Sequence, residues 1–254
     1  MNQIPLAIIG GTGLTELPEL IDQQPLIIET PYGIVDQLHS GIWHHRPVIF
    51  LARHGHPHRT PPHHVNYRAN IWALHNLHCK EVIAVNAVGG ISKQAVDCAL
   101  ILPDQLIDYT FGRAHTFFED PVQHIEFTEP YDSDLRRCVL NIAHRIDLPV
   151  VDGGIYGCTQ GPRLETAAEI QRLAKDGCSV VGMTGMPEAV LARELGLSYA
   201  SICLVVNRAA GLSATPITME MIKDNFEIGI GSVKILLSEW IRNANPISSH
   251  LENS

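Results

Sequence analysis

The clearest indication of the fold lies in YASICLVVNRAAG, residues Tyr199–Gly211. Its first half contains a continuous apolar run, Ile202–Val206, which predicts a strand buried on both faces. Such strands belong to mainly parallel sheets that are covered by helices. Asn207 follows the run directly, where we expect the strand to give way to a loop. Ligands of these sheets lie outside the carboxyl ends of the strands, so Asn207 either binds a polar ligand or merely turns the chain.

Three stretches in the first ninety residues also run from a buried strand into small or polar residues. They are LAIIGGTG (residues 6–13), VIFLARHG (48–55) and EVIAVNAVGG (81–90). Three such strand ends favour one shared pocket. Glycine allows backbone N–H groups to approach an anion closely. Arg53, at the end of its strand, is placed for bidentate contact with phosphate, and the alternative is a solvated arginine in a loop. A dinucleotide fingerprint is disfavoured because Glu16 stands where a third glycine is needed.

The remaining pattern alternates strands with helices and predicts a three-layer α/β/α fold around a central mixed, mainly parallel sheet. Gly112–Asp134 is polar and irregular but rich in aromatic residues, so we expect a lid or an interface. The predicted strands are Leu26–Glu29, Gln37–Trp43, Pro47–Leu51, Leu106–Tyr109, Gly153–Gly157 and Val180–Met183. The predicted helices are Val65–His78, Leu135–Ile146, Thr166–Lys175, Pro187–Leu195 and Thr218–Arg242.

Composition limits the classes of protein to be considered. The 254 residues carry a net charge of −9, which argues against a nucleic-acid partner, and no apolar run approaches the roughly 20 residues of a membrane span. Six cysteines without a CxxC pair are typical of reduced thiols in a cytoplasmic protein. We expect one domain over residues 1–254, with a frayed tail at 245–254 and neither a nucleic-acid nor a membrane partner.

Histidine is unusually common, with 14 residues. His54, His56 and His58 would share one face of an extended segment, so a metal site is an alternative. No carboxylate accompanies this cluster, and the neighbouring prolines and Arg59 make the segment loop-like and basic. We therefore favour surface or anion-facing histidines and expect no metal.

Six motifs in fixed order resemble the trimeric purine nucleoside phosphorylase and methylthioadenosine phosphorylase family over nearly the whole chain. The chain is most similar to the branch that acts on 5′-methylthio nucleosides, including methylthioinosine. The motifs are IIGGTGL (Ile8–Leu14), ETPYG (Glu29–Gly33), LARHG (Leu51–Gly55), VNYRANIWAL (Val65–Leu74), QGPRLET (Gln160–Thr166) and GMTGMPEAVLARE (Gly182–Glu194).

The resemblance implies the nucleoside phosphorylase fold and a reaction in which inorganic phosphate, as co-substrate, attacks C1′ of a purine nucleoside. It implies no cofactor. The residues implied for phosphate are Thr12, Arg53, His54, Asn86, Ala87 and Thr184. Asn86 departs from relatives that often have a hydroxyl residue there. Glu188 is expected to hold its loop rather than substrate.

The base pocket implied by the resemblance comprises Val88, Gly89, Leu164, Glu165, Asn207 and Ala209. Methylthioadenosine phosphorylases usually have aspartates at the positions of Asn207 and Ala209. An amide can donate to a 6-oxo group, and Glu165 matches a glutamate that accepts from N1–H of 6-oxopurines. Both departures favour hypoxanthine- or guanine-type bases over adenine.

The resemblance also assigns the sugar end of the pocket. Met183 is expected beneath the ribose, and Met219 with Ile222, where relatives often have a histidine, would form an apolar wall for a methylthio group. His124 resembles a residue that reaches this pocket from a neighbouring subunit, which implies a homotrimer. Methylthioinosine is the preferred substrate, with methylthioadenosine or inosine and guanosine as alternatives.

Overall fold

The computed structural model describes residues 3–244, and its centre is an eleven-stranded mixed sheet. The strands are β1 (Leu6–Gly10), β2 (Ile21–Thr30), β3 (Gly33–Trp43), β4 (Arg46–Ala52), β5 (Glu81–Gly90), β6 (Leu100–Leu102), β7 (Gln105–Asp108), β8 (Val150–Asp152), β9 (Ile155–Cys158), β10 (Cys178–Gly182) and β11 (Ser198–Arg208). The helices are α1 (Tyr67–Asn76), α2 (Ser133–Arg145), α3 (Ala167–Lys175), α4 (Gly185–Glu194) and α5 (Met219–Asn243), and Pro62–His64 forms one 3₁₀ turn.

Alternation along the central strands divides the core between two faces of the sheet. Ile8 and Phe50 belong to the cluster that packs against α2 and α5. Ile9 and Leu51, one residue further along each strand, belong to the cluster that packs against α1 and α4. Successive strand residues point to opposite faces, so continuous apolar runs bury both. The prediction of a mixed, mainly parallel sheet between helices is confirmed.

The sheet divides at β5, and this division creates room for a site. One edge of β5 pairs in parallel with β11 along its whole length. On the other edge β1 pairs with Val82–Ala84, whereas β10 pairs antiparallel with Gly89 and Gly90. Residues 85–88 therefore have no strand partner on this edge within the part of the chain that the structure describes. Residues 86–88 are left to line a cavity.

Two strand ends lie further along the chain than the sequence predicted. The sequence predicts a strand over Glu81–Val85, but β5 runs on to Gly90 because its last residues pair with β10. β11 runs to Arg208, so Asn207 lies within the strand rather than at the start of a loop. The pairing of β11 with β5 shifts by one residue between Val205 and Asn207, which is a β-bulge. Bulges redirect side chains near functional sites.

The predicted helices are all present, with ends that differ by a few residues. Helix α3 begins with a capping box between Thr166 and Glu169, and Thr218 caps α5 by accepting from the Met221 N–H. Among residues 3–244, no helix is both long and apolar enough to cross a membrane. The prediction of one domain stays a prediction, and its tail at 245–254 lies outside the described residues.

Candidate active site

A cavity of about 400 Å³ lies at the gap beside β5. It is walled by the turn after β1, the end of β4, β5, β10, the end of β11 and the start of α5. The three strand ends singled out in the sequence therefore do meet in one pocket. All the predicted site residues except His124 line it: Thr12, Arg53, His54, Asn86, Ala87, Val88, Gly89, Leu164, Glu165, Met183, Thr184, Asn207, Ala209, Met219 and Ile222.

Arg53 does not present its bidentate edge to the cavity. Its Nε and Nη2 donate to the two carboxylate oxygens of Glu188 at 2.6 and 2.7 Å, and both side chains are buried. Its Nη1 donates to the Val85 carbonyl on the unpaired edge of β5, at 3.3 Å. Glu188 therefore occupies this edge, and the predicted bidentate contact of Arg53 with phosphate stays a prediction. Burial alone would lower the pKa of Arg53, but Glu188 more than offsets it and the pKa is raised.

The Glu188 carboxylate thus holds Arg53. It also accepts from the Tyr199 hydroxyl at 2.8 Å. Tyr199 belongs to β11 and Arg53 follows β4, so the carboxylate joins two parts of the sheet through the start of α4. The predicted loop-holding role of Glu188 stays a prediction, and the sequence carries no signal for its pairing with Arg53, which lies 135 residues away.

His54 is buried beside Arg53 and is held as a neutral ring. Burial, followed by the charge of Arg53, lowers its pKa to about 3. Its Nδ1 lies 2.8 Å from the Thr60 carbonyl, which can only accept, so Nδ1 carries the proton. Nε2 is then an acceptor. A monoprotonated phosphate could donate its hydroxyl to such a nitrogen, whereas a fully ionised oxygen could not.

Asn86 and Thr184 form a buried hydrogen-bonded chain at the same end of the cavity. The Thr184 hydroxyl donates to Asn86 Oδ1 at 3.0 Å, and Asn86 Nδ2 donates to the Ser201 hydroxyl at 2.7 Å. The amide is therefore paired with protein on both sides. It orients the Thr184 hydroxyl at the cavity wall, a role that a shorter hydroxyl residue at position 86 would not fill in the same way.

The opposite end of the cavity carries an amide and a carboxylate. Asn207 Nδ2 donates to the Arg208 carbonyl at 2.8 Å, and no hydrogen bond engages its Oδ1 within residues 3–244. One oxygen of Glu165 accepts from the Thr159 hydroxyl at 2.6 Å. Gly89 lies beside Asn207, where a side chain would begin 3.5 Å from the amide nitrogen. Ala209 adds no polar atom, so this end offers two hydrogen-bonding side chains on an otherwise apolar wall.

The third part of the cavity is apolar. Met219 and Ile222 lie one turn apart at the start of α5, and Ile217 joins them on the cavity wall. Met183 lies opposite, over Gly161, where a side chain would begin only 2.4 Å from its sulfur. Gly161 also has a φ of +63°, which favours glycine. Ile217 was missed in the sequence because nothing distinguishes it from a core residue.

Arg113 is a second residue that the sequence did not single out. Its guanidinium donates to the carbonyls of Met183 at 2.9 Å, Met186 at 2.5 Å and Gln160 at 2.9 Å. It therefore ties the irregular segment Gly112–Asp134 to the two loops that carry Met183 and Glu165. The only feature of the sequence that could have pointed to Arg113 is its position in a loop rich in aromatic residues.

The histidine segment does not form the extended face that the sequence suggested. Residues 53–58 turn, so His54 is buried while His56 is exposed and lies 3.3 Å from Glu16. His58 stacks on His54 with ring centres 4.3 Å apart. Within residues 3–244, no group of three or more histidine, cysteine, aspartate or glutamate side chains could hold a metal ion. His124 is exposed and lies outside the cavity of its own chain.

Comparison with known proteins identifies the family. A model of the phosphorylase superfamily matches residues 5–242. The chain belongs to this superfamily. A relative from Pseudomonas syringae pv. tomato, named "Probable S-methyl-5′-thioinosine phosphorylase", is 52% identical and covers 91% of this chain and 96% of its own. A "6-oxopurine nucleoside phosphorylase" from Pyrococcus furiosus is 43% identical over 84% of this chain and 83% of its own.

Solved structures agree with this assignment. The methylthioadenosine phosphorylase from Schistosoma mansoni in complex with adenine superposes with a TM-score of 0.86 at 30% identity, over 94% of this chain and 91% of that one. The likeness confirms the predicted phosphorylase fold. The chain is accordingly a nucleoside phosphorylase, which is a pentosyltransferase. Its cavity lies beside β5, where the sheet divides.

Proposed function

We propose that this phosphorylase cleaves S-methyl-5′-thioinosine with inorganic phosphate to give hypoxanthine and 5-methylthioribose 1-phosphate. One observation carries the proposal: a single cavity combines the Asn207 amide and the Glu165 carboxylate at one end with the apolar wall of Met219 and Ile222. The first pair suits a 6-oxopurine, and the second suits a methylthio group. The relatives' names support the same substrate class.

Phosphate is the co-substrate, and the reaction needs no further cofactor. A phosphate oxygen forms a bond to C1′ while the bond from C1′ to N9 breaks and its electron pair passes to the purine. Asn207 stabilises the departing base at N7, which takes up a proton from solvent. Thr12, Arg53, His54, Asn86, Ala87 and Thr184 surround the phosphate, and its fixed position beneath the sugar lowers the entropic cost of attack.

The base end favours a 6-oxopurine over adenine. Within residues 3–244, the second oxygen of Glu165 has no hydrogen-bond partner, so it is a natural acceptor for N1–H of hypoxanthine, whereas adenine has no hydrogen on N1. Glu165 is half-buried, and a bound adenine would bury this oxygen without a donor, which costs binding energy and makes the site discriminate. S-methyl-5′-thioadenosine is the second candidate substrate, because solved relatives of this fold carry that activity in their names. Inosine and guanosine form the third.

Product analysis tests the reaction itself. Purified protein is incubated with S-methyl-5′-thioinosine with and without phosphate, and both products are quantified by chromatography. The proposal expects hypoxanthine and the sugar phosphate in equal amounts, and only when phosphate is present. Release of the base without phosphate would instead indicate a hydrolase, and no release would contradict the proposal.

We also propose that the enzyme is a homotrimer in which His124 enters a neighbouring cavity. His124 lies on the irregular segment 112–134, outside its own cavity, and Val122 beside it is 69% exposed. Light scattering on the purified protein should give three times the mass of one chain. A monomer with full activity would contradict this arrangement.

A further inference from the structure

Arg59 lies beside the phosphate end of the cavity, on a loop that folds back onto His54. The Arg59 and Thr60 N–H groups both donate to the His54 carbonyl at 3.0 Å, and His54 Nδ1 donates back to Thr60. These bonds place Arg59 on the cavity wall with its Nε over Gly55, 3.5 Å from where a side chain there would begin. The backbone of this loop is therefore fixed on the part of the protein that carries Arg53.

Among the described residues 3–244, the inner phosphate end has no uncompensated positive charge. The guanidinium of Arg53 is paired with the Glu188 carboxylate through two short hydrogen bonds, so the pair is neutral as a whole. His54 is buried and neutral, with its Nδ1–H committed to Thr60. Thr12, Asn86 and Thr184 contribute dipoles only. Phosphate carries between one and two negative charges near neutral pH, so a cation at this end would improve its binding.

Arg59 is a cation that meets this need. It is exposed and lines the cavity, and no carboxylate or side-chain hydrogen-bond partner engages its guanidinium within residues 3–244. By contrast, the exposed Arg163, which does not line the cavity, is held by Glu169 at 2.7 and 2.8 Å. A planar guanidinium binds phosphate bidentately and remains charged at any working pH.

We infer that Arg59 is a phosphate-binding residue, which closes over the co-substrate and supplies the positive charge that the Arg53–Glu188 pair does not. The inference rests on the proposed phosphorolysis. It assigns different tasks to the two arginines: Arg53 is a fixed donor in the cavity wall, and Arg59 is an exposed side chain that binds the anion from the solvent side. Loss of Arg59 should then weaken phosphate binding while leaving the nucleoside end unchanged.

Steady-state kinetics of Arg59→Ala and Arg59→Lys, with phosphate and nucleoside each varied, test this inference. We expect the KM for phosphate to rise about tenfold in Arg59→Ala, equivalent to about 1.4 kcal/mol, and less in Arg59→Lys. The KM for S-methyl-5′-thioinosine should change by less than about twofold. Raising the ionic strength should increase the phosphate KM of the wild type more than that of Arg59→Ala, because the charge that salt screens has been removed.

Arg163→Ala is the matched control, since it removes an exposed arginine whose charge is already paired. Its phosphate KM should stay within about twofold of the wild type. An unchanged phosphate KM in Arg59→Ala, or a rise confined to the nucleoside KM, would overturn the assignment. Failure of the proposed function is distinguishable, because in that case the wild-type protein itself would show no phosphate-dependent turnover.

Discussion

Glu188 holds both donors on one edge of Arg53, at 2.6 and 2.7 Å, although the two residues lie 135 positions apart. The two side chains are 0% and 1% exposed, and the Glu188 carboxylate also accepts from the Tyr199 hydroxyl. A buried ion pair does not by itself add stability, but removal of one partner leaves the other as an uncompensated buried charge.

Glu188→Gln should therefore destabilise the protein by about 3–5 kcal/mol, measured as the free energy of unfolding in urea. The amide retains the size of the side chain, so the change isolates the loss of charge. Glu227→Gln provides the control, because Glu227 forms an exposed pair with Lys223 on α5. That substitution should cost less than about 1 kcal/mol. Equal effects of the two variants would show that the Arg53–Glu188 pair is dispensable.

His54 should make stability depend on pH in the acid range. Its pKa falls from 6.5 to about 3 on folding, so between these values the unfolded chain binds a proton that the folded chain does not. This contribution is complete above pH 6.5 and is lost as the pH falls, by up to about 1.4 kcal/mol per pH unit. Urea unfolding at about pH 7, 6 and 5 should show a shallower loss for His54→Gln than for the wild type.

Exposed His144 on α2 supplies the control for this comparison. His144→Gln should follow the wild-type dependence on pH. If the stability of His54→Gln showed the same pH dependence as the wild type, the assignment of His54 as a neutral, hydrogen-bonded ring would be wrong.

The buried strands were predictable because their chemistry is local. LAIIG and the run before Asn207 are apolar in every position, which suffices to identify strands covered on both faces. The short strands β6 and β8 escaped prediction, since three residues carry too little pattern to distinguish a strand from a loop. The gap beside residues 85–88 depends on which strands pair with β5. The sequence of β5 alone does not identify those partners.

The cavity lining was largely predictable from resemblance, whereas the partners of its residues were not. The motif LARHG marks Arg53, but nothing near it in sequence identifies Glu188 as the group that occupies its bidentate edge. The bulge before Asn207 likewise depends on the register between β11 and β5. Arg113 makes its bonds to backbone carbonyls of two distant loops, and backbone carbonyls carry no sequence signal at all.

Ile222→His tests the apolar wall for the 5′ group. A histidine at position 222 could form a hydrogen bond with the 5′-hydroxyl of inosine. With a methylthio substrate, its imidazole would face an apolar group without a hydrogen-bond partner. The ratio of kcat/KM for inosine to that for S-methyl-5′-thioinosine should rise by at least about tenfold. Ile228→His, at an exposed position of the same helix, should leave the ratio unchanged. An unaltered ratio in Ile222→His would favour a general inosine and guanosine phosphorylase.

Asn207→Asp, alone and together with Ala209→Asp, tests whether the side chain at position 207 makes the enzyme prefer 6-oxopurines to 6-aminopurines. A carboxylate at position 207 can accept from a 6-amino group and, when protonated, can give a proton to N7. We expect the kcat/KM ratio of S-methyl-5′-thioadenosine to S-methyl-5′-thioinosine to rise by about tenfold or more, with the larger change in the double variant. Asn141→Asp, on the exposed side of α2, is the control and should not alter the ratio.

The most direct test of the central claim is a comparison of kcat/KM for four nucleosides with saturating phosphate: S-methyl-5′-thioinosine, S-methyl-5′-thioadenosine, inosine and adenosine. Asn207 and Glu165 predict that each 6-oxopurine exceeds its 6-amino counterpart, and Met219 with Ile222 predict that each methylthio compound exceeds its hydroxyl counterpart. S-methyl-5′-thioinosine should therefore be the best substrate of the four. A higher kcat/KM for either adenine nucleoside than for its hypoxanthine counterpart would contradict the account.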